Sequence, residues 1–321
     1  MLIFEIIDIV KGDVNVIIPK SVEILEVCPR DGFQNVKDLI ATEDKVAIVE
    51  KLIDANFKRI ELGSFVSPKA IPQMADTKDV VAAAKKYAVD KDIKFVALVP
   101  NARGVESAIA AGVDQITYVI SASESHNKAN VNRSVAESME QYETLIREYK
   151  GKIDFRLGLA TTFGCPFGDE VKIDRIREMC KWAFDLGTVE ILMADTVGLG
   201  NPKKVAEVMS TLVSEFDPNH FVMHLHDTRG LALANTLTAM QYGITKFESA
   251  TGGLGGCPFA PGASGNAATE DLYYMLSEMG IETNIDIEKV YEAIQLIKTK
   301  VKSDVVSHLA PLYKGDVCKG I

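Results

Sequence analysis

Short apolar runs alternate regularly with longer amphipathic segments through most of this 321-residue chain. Such alternation predicts strands separated by helices. The apolar runs predict eight strands, over Val22–Val27, Arg59–Leu62, Lys94–Val99, Gln115–Val119, Asp154–Leu159, Val189–Met193, His220–His226 and Lys246–Ser249. The segments between them predict helices, including Glu43–Ala55, Val135–Tyr149, Ile173–Leu186 and Lys203–Glu215. Small residues able to end a helix in a left-handed conformation precede successive strands, at Ala55-Asn56, Ala111-Gly112, Leu186-Gly187 and Tyr242-Gly243.

Eight β/α units in this order predict an α/β fold, a parallel (β/α)8 TIM barrel, for which roughly 250 residues are typical. An open doubly wound sheet is the alternative, but no GxGxxG segment follows the first strand. We predict one domain over 1–321, with the barrel at about 20–282. An N-terminal β-hairpin turning at Lys11-Gly12-Asp13 precedes the barrel, and a C-terminal helical extension over about 283–321, with a helix around Ile287–Lys300, follows it.

Charge and cysteine content restrict the partners and the compartment. A net charge of −10 argues against nucleic acid or an anionic membrane as partner. No apolar run approaches the roughly 20 residues of a membrane helix, and the N-terminal segment carries Glu5 and Asp8 without the basic start of a secretory signal. The five cysteines, none in a CxxC pair, are typical of a reducing compartment; they are Cys28, Cys165, Cys180, Cys257 and Cys318. We therefore predict a cytoplasmic protein.

Polar residues collect where the predicted strands end, which is where barrel enzymes place their chemistry. Arg30 and Asp31 follow the first strand in EVCPRDGFQN, although an ordinary turn with an Arg-Asp pair is the simpler interpretation of that segment alone. Glu61 ends the second strand and Asp195 ends the sixth. All four side chains are therefore candidates for one site at the barrel mouth.

The loop after the eighth strand, GGLGGCPFAPGASGNAATED at residues 252–271, is rich in glycine and poor in packing residues. A lid that closes over a substrate is the functional interpretation, and a flexible surface loop is the alternative. Cys257, between a glycine and a proline, favours a functional loop, although a lone cysteine is more often a small buried residue.

Two histidines alternate in the seventh strand, FVMHLHDTRG, so that His224 and His226 leave the same face. Barrel closure makes the first and eighth strands neighbours, so Asp31 and Asn266 can converge on this pair. Two imidazoles, a carboxylate and an amide oxygen suit an octahedral Mg²⁺ or Mn²⁺. Zinc remains an alternative, and so do two histidines without a metal.

Four segments together resemble hydroxymethylglutaryl-CoA lyase, namely VEILEVCPRDGFQN, IELGSFVSPKAIPQMAD, HLHDTRGLALANTL and GGLGGCPFAPGASGNAATEDLYYML. The similarity extends from about Val22 to beyond Met275. This enzyme is one of a group of metal-dependent barrels that also contains the isopropylmalate and homocitrate synthases. Those synthases carry a Glu-Arg-containing loop after the eighth strand and lack the cysteine.

The resemblance implies cleavage of a 3-hydroxy-3-methylglutaryl thioester to acetyl-CoA and acetoacetate, often by a homodimer. It implies Asp31, His224, His226 and Asn266 as metal ligands. It also implies Arg30 as the residue that binds the thioester carbonyl. In the same way it implies Cys257 as the lid cysteine, with Glu26, Glu61, Asp195 and Glu270 as supporting acidic residues.

The chemistry requires a base for the tertiary hydroxyl and an acid that returns a proton to the acetyl carbon. Asp195 or a metal-site histidine such as His224 is a candidate base, and Cys257 is a candidate acid. We also expect Gln34, Ser64 and Lys37 to contact the acyl-CoA substrate together with Arg30. Lys37 or the region of Lys128 and Asn130 could meet the CoA phosphates, and solvated surface lysines are the alternative.

Several positions depart from the usual lyase pattern. Gly158 stands where a tyrosine is general, Leu192 where a serine is usual, and Arg229 and Leu231 replace a tyrosine and a glutamine. Ile120-Ser121-Ala122 replaces Phe-Gly-Ala. We therefore expect the reaction to be retained, and our hypothesis for the substrate is a 3-hydroxy-3-substituted glutaryl-CoA whose 3-substituent is methyl or larger. Neutral drift at these positions is the alternative to a larger 3-substituent. The alternatives to the lyase reaction are an acetyl-CoA-dependent synthase acting on a 2-oxo acid and a degenerate, non-enzymatic scaffold.

Overall fold

The computed structural model describes residues 4–8, 15–256 and 265–313. Two antiparallel strands come first, β1 (Phe4–Asp8) and β2 (Asn15–Pro19). These are the strands of the predicted hairpin, whose turn lies outside the described residues.

Eight parallel strands then close into a barrel, as the apolar runs predict. They are β3 (Glu23–Glu26), β4 (Arg59–Ser64), β5 (Lys94–Leu98), β6 (Gln115–Ser121), β7 (Asp154–Ala160), β8 (Glu190–Asp195), β9 (Phe221–Leu225) and β10 (Lys246–Ser249). The order around the barrel is the order along the chain, and β10 pairs with β3 to close it. The prediction of a (β/α)8 barrel is confirmed.

Ten helices cover the barrel and its C-terminal side within the part of the chain that is described. They are α1 (Thr42–Asp54), α2 (Thr77–Tyr87), α3 (Ala102–Ala111), α4 (Glu124–Val131), α5 (Val135–Glu148), α6 (Ile173–Leu186), α7 (Pro202–Val213), α8 (Ala232–Gln241), α9 (Thr269–Glu278) and α10 (Ile287–Leu296). Short π-helical turns follow β3 at Cys28–Gly32 and α10 at Ile297–Val301. None of the described helices is long and apolar enough to cross a membrane.

The helix ends follow the predicted punctuation. Asn56, Gly112, Gly187 and Gly243 have φ values of 67°, 80°, 101° and 83°, all in the left-handed region. This conformation turns the chain from a helix towards the next strand, and glycine or asparagine adopts it at least cost.

The apolar core lies mainly between the barrel and its helices, where Ile48, Ile60, Phe155 and Phe221 are buried. The inner faces of the strands carry charges instead. Leu25, Leu192 and Val222 form a small separate apolar cluster on the same strand faces as Glu23, Glu190 and His224. The barrel interior therefore contains both charged side chains and this apolar cluster.

Candidate active site

Arg30 and Asp31 reach the barrel mouth because β3 continues directly into the turn Cys28–Gly32. Arg30 donates from Nε to Glu61 Oε2 at 2.5 Å and from Nη1 to Asp31 Oδ1. Burial lowers the pKa of Arg30, but Glu61 and Asp31 outweigh it and raise that pKa above its ordinary value. The result is a permanent cation whose guanidinium plane is fixed by two carboxylates.

Asp31, His224 and His226 form a cluster that could hold a metal ion. One ligand atom from each lies within 4.8 Å of the others, and the Nε2 atoms of the two imidazoles are 3.2 Å apart. Burial raises the pKa of Asp31, but Arg30 and the imidazoles outweigh it and bring that pKa to about 2. Burial and the neighbouring His224 lower the pKa of His226 to about 4. Asp31 is therefore anionic and His226 neutral at neutral pH, the forms that bind metals.

Asn266 joins this cluster because the two ends of the eighth loop cross. Gly255 has φ +135°, and a Cβ there would lie 2.5 Å from Asn266 Nδ2; a Cβ on Gly265 would lie 2.4 Å from the Gly255 backbone. Asn266 also forms an antiparallel bridge with His226, and its Nδ2 donates to Asp31 Oδ2 at 2.7 Å. Glycine at both crossing points is what allows the asparagine to approach the histidines.

The donor set fits a hard divalent cation. Asn266 Oδ1 is buried, and no partner for it exists among residues 4–8, 15–256 and 265–313. A buried amide oxygen without a partner costs free energy unless a ligand satisfies it. With two imidazoles and a carboxylate beside it, this oxygen completes the ligand set that Mg²⁺ or Mn²⁺ accepts.

Two further acidic residues support the loop rather than the cluster. Glu26 accepts from the Thr251 and Cys28 amides and from the hydroxyls of Thr251 and Thr269, which joins the end of β3 to the start and end of the eighth loop. Glu270 accepts from the Gly252 amide at 3.0 Å. Burial raises the pKa of Glu26, and it raises that of Glu270 to about 7.

Asp195 ends β8 in a buried position. Its two carboxylate oxygens accept from the amides of Leu199 at 2.8 Å and Gly200 at 2.9 Å. Burial raises the pKa of Asp195 to about 6 although both amides oppose the shift. A carboxyl with this pKa exchanges protons readily near neutral pH.

The expected substrate contacts lie in different settings. Gln34 donates to Asp31 Oδ1 at 3.1 Å, so it holds a candidate ligand. Ser64 is buried, and its hydroxyl has no partner within the described part of the chain. Lys37 is exposed. Cys257 lies outside the described residues.

Sequence analysis missed Glu248 and Arg156, which lie beneath the cluster. Glu248 Oε2 lies 2.9 Å from His224 Nδ1, and Glu248 Oε1 accepts from Arg156 Nη2 at 2.8 Å. A usable signal was present, because charged residues at alternate positions are unusual in the buried strands of a parallel barrel.

Comparison with known proteins agrees with this geometry. The HMGL-like family model matches residues 21–297. The chain belongs to the HMGL-like family. A hydroxymethylglutaryl-CoA lyase of Bacillus subtilis is 43% identical over 92% of this chain and 98% of its own length. The mitochondrial hydroxymethylglutaryl-CoA lyase of Macaca fascicularis is 39% identical over 90% of this chain and 89% of its own length.

Solved structures of HMGL-like lyases superpose closely. A B. subtilis HMG-CoA lyase has a TM-score of 0.89 and 42% identity, over 93% of this chain and 99% of that one. An A. baumannii HMG-CoA lyase in complex with coenzyme A and 3-methylmalate has a TM-score of 0.88 and 38% identity, over 94% and 98%. This HMGL-like chain is therefore a carbon–carbon lyase.

The positions that depart from the lyase pattern lie in different environments, with Gly158 and Leu192 buried and Arg229 exposed. A Cβ on Gly158 would lie 3.0 Å from Val119 Cγ2, so a neighbouring methyl group already occupies much of the space beside the glycine. Leu192 packs with Leu25 and Val222. Arg229 donates to the Val197 and Gly198 carbonyls, and Leu231 precedes α8.

Proposed function

We propose that the protein cleaves 3-hydroxy-3-methylglutaryl-CoA, or a close 3-substituted homologue, to acetyl-CoA and acetoacetate or the matching 3-oxo acid. The observation that carries this proposal is the convergence of Asp31, His224, His226 and Asn266 beside Arg30 at the barrel mouth. Similarity over most of the chain to lyases named for this reaction supports it.

The reaction is a retro-Claisen cleavage. A base removes the proton of the C3 hydroxyl, the C3–O bond becomes a carbonyl, and the electron pair of the C2–C3 bond passes to C2. The acetyl-CoA enolate that forms is then protonated at C2. The thioester oxygen gains negative charge in the transition state, and we propose that Arg30, held by Glu61, stabilises it there.

Asp31, His224, His226 and Asn266 would hold the divalent cation, Mg²⁺ or Mn²⁺ in this proposal. When bound, the cation supplies Lewis-acid chemistry that lowers the pKa of the substrate hydroxyl and orients it. Gln34 would support this site through Asp31, to which it donates.

Asp195 is the base that we favour. Its pKa of about 6 leaves it mostly ionised at neutral pH, yet close enough to neutral pH to accept a proton. His224 is the weaker candidate base, because one ring nitrogen would bind the metal in the metal-loaded protein. The other, Nδ1, faces Glu248, so neither nitrogen would be free to accept the substrate proton. Cys257 remains the candidate acid, and Ser64 and Lys37 remain candidate contacts of the acyl-CoA.

The 3-substituent would face the inner side of β6 and β7. Val119 beside Gly158 provides an apolar wall there, and Leu192 lies opposite Gly158 in the register of β7 and β8. We propose that this wall selects an apolar 3-substituent. Comparing kcat/KM for the methyl compound with kcat/KM for homologues that carry larger apolar or polar 3-substituents tests this. Equal kcat/KM values for apolar and polar 3-substituents would contradict it.

The deciding experiment measures acetyl-CoA release from 3-hydroxy-3-methylglutaryl-CoA with added Mg²⁺ or Mn²⁺. We expect cation-dependent cleavage that His226→Ala abolishes. His220→Ala is the matched control, since this exposed histidine precedes the same strand and lies outside the cluster. Cleavage at an unchanged rate after a chelator has removed divalent cations would overturn the proposal. Release of free CoA from acetyl-CoA and a 2-oxo acid would instead indicate the condensing synthase.

The proposal includes a cytoplasmic homodimer acting on a small acyl-CoA. The A. baumannii complex supports the CoA thioester, since that relative binds coenzyme A. Sedimentation of the purified protein tests the dimer directly.

A further inference from the structure

A carboxylate holds the candidate ligand His224 from the side away from the cluster. Glu248 is paired with His224 in the register of β9 and β10, and its Oε2 lies 2.9 Å from His224 Nδ1. The other oxygen, Oε1, accepts from Arg156 Nη2 at 2.8 Å. The side chains of Glu248 and Arg156 are both fully buried. Each oxygen of Glu248 therefore has one partner.

This contact decides which nitrogen of His224 carries the proton. A neutral imidazole has one N–H, and an ionised carboxylate only accepts. His224 therefore donates from Nδ1 to Glu248, and in the neutral ring its Nε2 keeps the lone pair that faces the cluster, where it lies 3.2 Å from His226 Nε2. By contrast, His226 Nδ1 has no partner within the described residues, so no carboxylate sets its tautomer.

Arg156 in turn fixes the direction of the Glu248 carboxylate. Its Nη1 donates to Thr117 Oγ1 at 3.3 Å, and its Nε lies 3.3 Å from Glu190 Oε2. Glu190 is itself paired with Arg59 and Lys246. Arg156 is thus held on two sides, and a guanidinium can only donate hydrogen bonds.

We propose that Glu248, oriented by Arg156, is a positioning residue that fixes the metal-binding tautomer of His224. It acts through His224, because its own oxygens face His224 and Arg156 rather than the cluster. This inference rests on the metal site of the proposed function, although its first readout needs neither metal nor substrate.

Glu248→Gln provides a specific test, because the amide cannot satisfy both neighbours of the carboxylate. Arg156 donates only, so the amide oxygen must face it, and the amide NH2 then faces His224 Nδ1. A donor at that position requires Nδ1 to accept, which moves the imidazole proton to Nε2. The proton then points into the cluster and blocks metal binding.

Arg156→Met combined with Glu248→Gln tests the same logic in reverse. Without the guanidinium, the amide is free to turn its oxygen towards His224 Nδ1 and restore the original tautomer. Glu190 keeps Arg59 and Lys246 as partners in this double variant. We therefore expect the second substitution to rescue the first, which loss of packing alone would not produce.

The measurements are the ¹⁵N chemical shifts of His224 in the metal-free protein and the binding of Mn²⁺ by electron paramagnetic resonance. At an alkaline pH that keeps the His224 ring neutral, we expect an Nδ1–H tautomer in the wild type and an Nε2–H tautomer in Glu248→Gln, with unchanged signals from exposed His220. The Mn²⁺ affinity of Glu248→Gln should fall on the order of 10- to 100-fold, as when a partner of a metal-ligating histidine is lost. The double variant should bind Mn²⁺ within a few-fold of the wild type.

An unchanged tautomer in Glu248→Gln would overturn this inference, and this result needs only the single variant. A folded double variant that binds Mn²⁺ no better than Glu248→Gln would also contradict it. These outcomes are independent of catalysis, since a protein that binds Mn²⁺ through His224 but leaves 3-hydroxy-3-methylglutaryl-CoA intact would refute the proposed function alone.

Discussion

Replacing Asp195 by asparagine tests whether burial has tuned this carboxyl for proton exchange. Its pKa rises from an ordinary 3.8 to about 6 in the fold. The folded protein therefore binds more protons than the unfolded chain between these values, so the wild type loses stability as the pH rises through this window. The difference between these two pKa values corresponds to about 3 kcal/mol of unfolding free energy.

Asparagine does not titrate, so the difference in unfolding free energy between variant and wild type must change with pH. From the two pKa values, the wild type should lose about 1.5 kcal/mol of unfolding free energy relative to the variant as the pH rises from 5 to 8. The amide can accept from only one of the Leu199 and Gly200 amides, which adds a cost. That cost is the same at every pH, so the pH dependence isolates the effect of the carboxyl.

Urea denaturation of the metal-free protein at several pH values measures this difference. Asp90→Asn is the control, because Asp90 is exposed and lies away from the barrel mouth. A difference between Asp195→Asn and wild type that stays constant from pH 5 to pH 8 would refute the assignment of a raised pKa. Under the proposed function, the same variant should also lose most of its lyase activity.

Two further predictions concern the charged side chains. Arg30→Lys removes the planar guanidinium that contacts Glu61 and Asp31 together, so we expect kcat for acetyl-CoA release to fall by on the order of 10²- to 10³-fold. The Mn²⁺ affinity, measured by electron paramagnetic resonance, should stay within a few-fold of the wild type. An unchanged kcat would contradict the role of Arg30. Glu190→Gln leaves Arg59 and Arg156 without the carboxylate that they share, and we expect the unfolding free energy from urea denaturation to fall by about 3–5 kcal/mol. A fall below about 1 kcal/mol would mean that these ion pairs contribute no more than surface ion pairs do.

The barrel was predictable because its signal is local and repeated. Each strand of the barrel was located within about two residues of its ends by a short apolar run, and the left-handed residues at Asn56 and Gly187 marked the helix ends. The order of the strands followed because parallel neighbours joined by helices have few topologies. The C-terminal segment was less predictable, since α10 ends at Leu296 and the chain after the turn Ile297–Val301 forms no further described helix.

Part of the site was predictable for the same reason. The period of two in the segment that forms β9 and continues to His226 placed His224 and His226 on one face, and barrel closure brought Asp31 to them. The position of Asn266 depends on a backbone crossing at Gly255 and Gly265, which no periodicity reveals. Glu248 was missed although a charge in a buried strand was a usable signal, because the partner that gives it a role, His224, is 24 residues away in the sequence.

The charges inside the barrel explain how an acidic protein can accept an anionic substrate. Six side chains form one connected network with as many cations as carboxylates; they are Glu23, Arg59, Arg156, Glu190, Lys246 and Glu248. Above it, Arg30 faces Asp31 and Glu61, which leaves one negative charge in excess when both carboxylates are ionised. The divalent cation of the proposed function would bring these three side chains from one negative to one positive charge, and an ionised Asp195 would offset that charge. Under the proposed function, the positive charges that would meet a carboxylate-bearing thioester are therefore the Arg30 guanidinium and that cation, although the whole chain carries −10.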